Sequence, residues 1–216
     1  MDEQKRKKAL QVLSQIYADA RPALHYNTAY ELLVAVILSA QCTDERVNKV
    51  TAELFKEHNT PQTMLELTQE ELEKYIFSCG LYKSKAAHIL SASRDIVDKF
   101  SGQVPSGFSD LKSLAGVGQK TANVVSSVWF EKDAIAVDTH VFRVSNRLGL
   151  AKASTPAKTE EQLKVSIPQA DWSKAHHWLI WHGRRICHSQ KPDCGNCPLS
   201  ECCDYYADRQ EKQKGE

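Results

Sequence analysis

Along almost the whole chain apolar residues return every three or four positions, and stretches that alternate apolar and polar residues are scarce. A period near 3.6 marks helices with one buried face, whereas a period of two marks strands. The spacing therefore predicts an all-α fold, with helices over 3–18, 30–40, 44–57, 69–77, 83–99, 109–114, 119–130, 139–147, 157–166 and 171–187. Punctuation agrees with several of these bounds. Asp44 stands where a carboxylate can cap the helix that follows Gln41 and Cys42, and Gly80 can end the helix before it. Pro105, Ser106 and Gly107 open one segment, Pro156 opens another and Pro168 closes it. The last ten residues or so, rich in Gln, Lys and Glu, read as a frayed tail.

A chain of 216 residues that is 42% hydrophobic and 25% charged can bury a substantial core without an external staple, as one domain or as two small lobes. Its longest apolar run, Leu32 to Leu38, is far short of the roughly 20 residues needed to span a bilayer. No membrane span is expected. The basic start, Lys5 to Lys8, leads into no apolar segment of the kind a secretory signal needs, so an intracellular, cytoplasmic protein is expected. In that reducing setting the seven cysteines point to metal rather than to disulfides. The formal net charge of +1 predicts no anionic partner by itself. The charge is unevenly distributed, however: acids crowd residues 53–73, and Lys112, Lys120, Lys132, Arg143, Arg147 and Lys152 give residues 112–152 a basic excess. Such a field can hold an anion on one face of a nearly neutral protein.

The most informative segment runs from Leu111 through Leu114, Ala115, Gly116, Val117, Gly118, Gln119 and Lys120 to Ala122. A short apolar helix meets two glycines, and a second helix begins. Gly116 and Gly118 permit a tight turn and the close approach of another backbone. Helix starts carry unpaired N–H groups and the positive end of the dipole, which together make an anion site suited to a phosphate. Val117, Val124, Val125, Val128 and Trp129 should anchor the second helix in the core. Lys120 falls in its first turn, where the dipole and partial burial would disfavour an ammonium. It suits either a phosphate contact or, as a free amine, a nucleophile.

Some twenty residues on, Val137-Asp138-Thr139-His140-Val141 turns an apolar stretch into a helix. Asp138 is placed to cap that helix. A carboxylate there can also assist deprotonation of an amine or support developing positive charge. For His140 the expected role is structural or in support of the groups that do the chemistry.

Near the C-terminus Cys187, Cys194, Cys197 and Cys203 follow the spacing Cys-x6-Cys-x2-Cys-x5-Cys. Structural zinc commonly uses two Cys-x2-Cys knuckles, and only one is present; four thiolates also suit a cubane iron–sulfur cluster. Cys202 falls outside the spacing, and Cys42 and Cys79 read as small buried apolar residues. His188 and Lys191 lie in the loop between the first two cysteines, with Arg184 and Arg185 just before it, where a fixed loop could set basic groups against a phosphate backbone.

Taken together, from about Ala29 to Cys203, these motifs resemble the endonuclease III family of the helix-hairpin-helix DNA glycosylase superfamily. The hairpin departs from the superfamily pattern only in having Ala115 where proline is usual. The resemblance implies two helical lobes flanking a DNA-binding cleft: a helical barrel over 22–132 that carries the hairpin, and an iron–sulfur lobe formed by 1–21 with 133–216. It implies a glycosylase with abasic-site lyase activity, with Lys120 as the Schiff-base nucleophile and Asp138 as the acidic partner across the cleft. Cys187, Cys194, Cys197 and Cys203 would hold a structural 4Fe–4S cluster. Gln41 resembles the residue that fills the gap left by an extruded base, and Leu81 the apolar wedge in the opposite strand. Gly116, Val117, Gly118 and Lys191 would meet the backbone of double-stranded DNA containing damaged pyrimidines or abasic sites. A nucleoid-associated monomer is expected. The related adenine glycosylases carry a catalytic glutamate in the early helix, and residues 32–43 hold no carboxylate. A bare DNA-binding module would not need Lys120 and Asp138 together, and an electron carrier would not need DNA. A mismatch thymine glycosylase of the same superfamily is harder to exclude by sequence than the adenine glycosylases.

Overall fold

The computed structural model describes residues 1–20 and 23–214, and contains no strand among them. The helices are α1 (Glu3–Ile16), α2 (Ala29–Ser39), α3 (Asp44–Leu54), α4 (Pro61–Met64), α5 (Gln69–Ile76), α6 (Tyr82–Phe100), α7 (Phe108–Ser113), α8 (Gln119–Val128), α9 (Thr139–Leu148), α10 (Pro156–Ser166), α11 (Trp172–Arg185) and α12 (Asp204–Lys214). The chain splits into two compact units, Met1–Arg21 with Asp133–Glu216, and Pro22–Lys132. Pro22, the first residue of the expected barrel, lies outside the described residues. No described helix is long and apolar enough to cross a membrane.

In the unit Pro22–Lys132 the organising element is α2. Thr28 caps it by accepting from the Glu31 amide, and every residue from Tyr30 to Leu38 is buried; apart from Glu31, whose Oε2 accepts from the Asn27 amide, these residues are apolar on all sides, as suits a central core helix. Helices α3, α6 and α8 pack on it. Each leucine buried there contributes on the order of 1.5–3 kcal/mol. The second unit has its own core, in which α1 packs on α11, and α9 is flanked by α10, α11 and α12. Leu13, Val141, Val144, Leu163 and Leu179 are fully buried within it.

Several local expectations are corrected. Thr43, not Asp44, caps α3 by accepting from the Arg46 amide, and Asp44 is the first residue inside the helix. The helix before Gly80 ends at Ile76 with Phe77 as its C-cap, so Gly80 does not end it. Of the side chains expected to anchor α8, Val117 and Val125 are buried, but Trp129 is exposed and packs edge-on against Tyr26. The polar residues Asn123, Ser126 and Ser127 take part of the buried face instead. The supposed tail is helical as far as Lys214, while Gly215 and Glu216 lie outside the described residues.

Candidate active site and the cysteine-lined cavity

The hairpin between α7 and α8 is built by one glycine for its own fold. Gly116 has φ +75°, and a Cβ there would sit 2.9 Å from the Cβ of His88, so no side chain fits. Gly118 differs: its backbone is extended, and a Cβ would meet nothing within 4 Å. The fold itself gives no reason for a glycine at 118. Val117 pins the turn to the core, 6% exposed, and its amide donates to the Leu114 carbonyl at 3.1 Å. Gly118 is the N-cap of α8 and offers no side chain to the helix start, which leaves the first amides of α8 directed outward for an external acceptor. Lys120 is the second residue of α8 and is exposed, so the partial burial expected for it is not supplied by the chain.

Asp138, in the other unit, is the N-cap of α9. Its Oδ1 accepts from the Val141 amide at 2.7 Å, and its side chain is only half-buried, so capping leaves carboxylate oxygen for other contacts. His140 is held through Nδ1 against Arg143 Nη2 at 3.1 Å, and burial lowers its pKa. Arg143 in turn donates to the carbonyls of Cys187 and Gly183, tying α9 to the end of α11.

Gln41 and Leu81 are both exposed, and their segments meet: a Cβ on Gly80 would lie 3.3 Å from the Gln41 carbonyl. Both residues adopt the left-handed region, φ 53° and φ 60°, as does Lys191 at φ 48°. Non-glycine residues held there cost on the order of 1–3 kcal/mol each. Leu81 is 59% exposed, and next to it in the chain Tyr82 packs at a tilt against the exposed ring of Phe77.

Beneath these segments lies Lys85, which sequence reading did not single out. It is 4% exposed, its Nζ donates to the Leu38 carbonyl at 2.8 Å, and burial lowers its pKa. It closes the end of α2 just before Gln41. Exchanging Lys85 for methionine keeps the stem but orphans that buried carbonyl, a loss of about 1–3 kcal/mol, read as a lower urea midpoint. An unchanged midpoint would refute this role.

Cys187, Cys194, Cys197 and Cys203 are all free and all line one cavity, together with Arg147, His182 and Tyr205. Cys202 is buried apart from it, its thiol turned to the Leu199 carbonyl. Arg147 spans the rim: Nη1 donates to Cys187 Sγ at 3.5 Å and to the His188 carbonyl at 2.6 Å, Nη2 donates to the Ser189 carbonyl at 2.9 Å, and the guanidinium stacks over Tyr205. Burial pushes the Cys203 thiol up to about 11. No cluster of three or more His, Cys, Asp or Glu suited to a single metal ion occurs among the described residues.

Two helices joined by a Gly-Val-Gly turn, in a chain that is helical throughout, define a helix-hairpin-helix protein. Residues 34–169 match the HhH-GPD superfamily of base excision DNA repair proteins. The chain is 48% identical to endonuclease III of Rickettsia conorii, over 92% of this chain and 95% of that one. It is 43% identical to endonuclease III of Escherichia coli strain K12, over 95% and 97%. Its fold superposes on a trapped endonuclease III–DNA covalent intermediate with a TM-score of 0.92 at 43% identity, covering 97% of this chain and 99% of the other. It also superposes on a thermostable thymine-DNA glycosylase with a TM-score of 0.86 at 24% identity, a likeness of fold. The chain belongs to the HhH-GPD superfamily of base excision repair glycosylases, and within it to the endonuclease III family.

Proposed function

We propose that this protein removes oxidised pyrimidines from double-stranded DNA and nicks the strand 3′ to the resulting abasic site, with Lys120 as nucleophile. The observation that carries the reading is the start of α8, where outward amides and a glycine with open space above it stand beside an exposed lysine. Gly116 and Gly118 let a phosphate backbone come close to those amides, and Lys191 adds a basic contact. Val117 serves by holding the turn in place.

Base excision needs the damaged nucleotide out of the stack. Gln41 fills the vacancy and Leu81 enters from the opposite strand, as suits an exposed amide and an exposed apolar group on adjoining rigid turns. Lys120 Nζ then attacks C1′ of the sugar and the base leaves. Asp138 takes a proton from the amine and supports the positive charge that develops as the glycosidic bond breaks. The C1′–O4′ bond of the aminal then breaks, O4′ taking up a proton as the sugar ring opens, and the Schiff base so formed acidifies C2′; loss of a proton there expels the 3′ phosphate by β-elimination.

The four cysteines of the cavity fit a 4Fe–4S cluster: four free thiols share one lining, and Arg147 stands ready to offset their charge. When bound, the cluster supplies a rigid tie for the loop 187–194 rather than electrons for base excision. The protein acts inside the cell, at the chromosome, and as a monomer.

The test is incubation with duplexes that carry thymine glycol, dihydrouracil, an abasic site or a mismatched thymine. Cleavage at the first three is expected. Intact abasic duplex would overturn the lyase assignment, and cleavage at the mismatch alone would replace the substrate class.

A further inference from the structure

A relay of buried side chains ends on one of the four sulfurs. Tyr17, the residue that closes α1, is 3% exposed, and its hydroxyl lies 3.1 Å from Nδ1 of His182. His182, on α11, is 1% exposed, and its Nε2 lies 3.6 Å from Cys197 Sγ. The two rings meet edge to face, with centroids 5.9 Å apart. Neither side chain has a place in the base-excision chemistry.

A sulfur bound to iron carries no proton, so it can only accept, and the proton of the imidazole must then sit on Nε2. Nδ1 is left as an acceptor, which the Tyr17 hydroxyl satisfies. We propose that Tyr17 fixes the Nε2–H tautomer of His182 and aims it at the Cys197 sulfur, and that this hydrogen bond sets the reduction potential of the cluster. The inference rests on the reading of the four cysteines as 4Fe–4S ligands. Tyr17 and His182 are positioning residues, acting through the ligand. Hydrogen bonds to cluster sulfurs favour the more negative, reduced state, because negative charge collects on sulfur. Arg147, at 3.5 Å from Cys187 Sγ, provides the comparable contact on a second ligand and is unaltered in the test.

The full-length protein is loaded anaerobically with iron and sulfide, and its metal and sulfide contents are measured first. The midpoint potential is then read by film voltammetry, and the terminal Fe–S stretching bands by resonance Raman in H2O and D2O. Tyr17→Phe, which removes one oxygen, should shift the potential downward. His182→Leu should shift it farther and abolish the isotope shift of one terminal band. If His182→Leu takes up no cluster, Tyr17→Phe still decides the question. A loaded Tyr17→Phe protein with unchanged potential and unchanged isotope shift sinks the relay and leaves the cluster reading intact. A wild-type chain that takes up no iron and sulfide sinks the cluster reading, and the relay with it.

Discussion

Borohydride should trap wild-type protein on an abasic duplex as a covalent adduct, and should trap none with Lys120→Gln. Reduction converts a Schiff base into a stable amine, so the adduct reports the bond between Nζ and C1′ directly. Glutamine is one atom shorter than lysine, keeps its helix propensity and cannot form an imine. Lys120 is exposed, so the exchange should move stability by no more than about 0.5 kcal/mol, and a lost adduct cannot be blamed on unfolding. Strand cleavage should fall on the order of 10³-fold or more, as it does when an enzyme loses its nucleophile. DNA affinity should change little, since the amides of α8 remain. Trapping of the mutant at the wild-type level would remove Lys120 from the mechanism.

Asp138→Asn should lower base excision by about 10²–10⁴-fold, the range typical of a lost general base, with little change in melting temperature. The choice of asparagine matters because Asp138 has two duties. Its Oδ1 caps α9 through the Val141 amide, and asparagine caps a helix about as well as aspartate. Asp138→Ala loses the cap too and should cost about 1 kcal/mol more in stability. If alanine and asparagine lower activity alike while only alanine lowers stability, the carboxylate charge is the catalytic feature. If asparagine is fully active, Asp138 is a cap and nothing more.

Much of this was legible because helices with one buried face print their period on the sequence. The apolar run of α2 and the glycine turn before α8 were readable from residue order alone. The missed helices had no such print. α4 has only four residues and is held by a reciprocal cap between Thr60 and Thr63 with Pro61 at its start, a signal that was present but sits in no apolar pattern. α12 is almost wholly polar. Thr43 took the cap of α3 from Asp44 because the chain bends one residue earlier than the charge suggested.

Tertiary facts were the least readable. Lysine is ordinarily a surface residue, so nothing in the sequence marks Lys85 as the one buried under the end of α2. Tyr17 and His182 are 165 positions apart, and no local pattern joins them. The spacing of the cysteines foretold a cluster of thiols. It could not foretell that Arg147, from the last turn of α9, would reach across to Cys187 and the loop after it.

The left-handed turns at Gln41, Leu81 and Lys191 bear on how such a chain can change over generations. Each of the three positions would be more comfortable as glycine, which visits that conformation without steric cost. A lineage rewarded only for surviving heat would therefore drift toward glycine at all three, and would discard an amide, an apolar side chain and an ammonium that point away from the protein. Ser101 and Glu131 share that conformation, so strain by itself names no ligand; what sets Gln41, Leu81 and Lys191 apart is that, under the proposed function, glycine there would trade DNA contact for backbone ease.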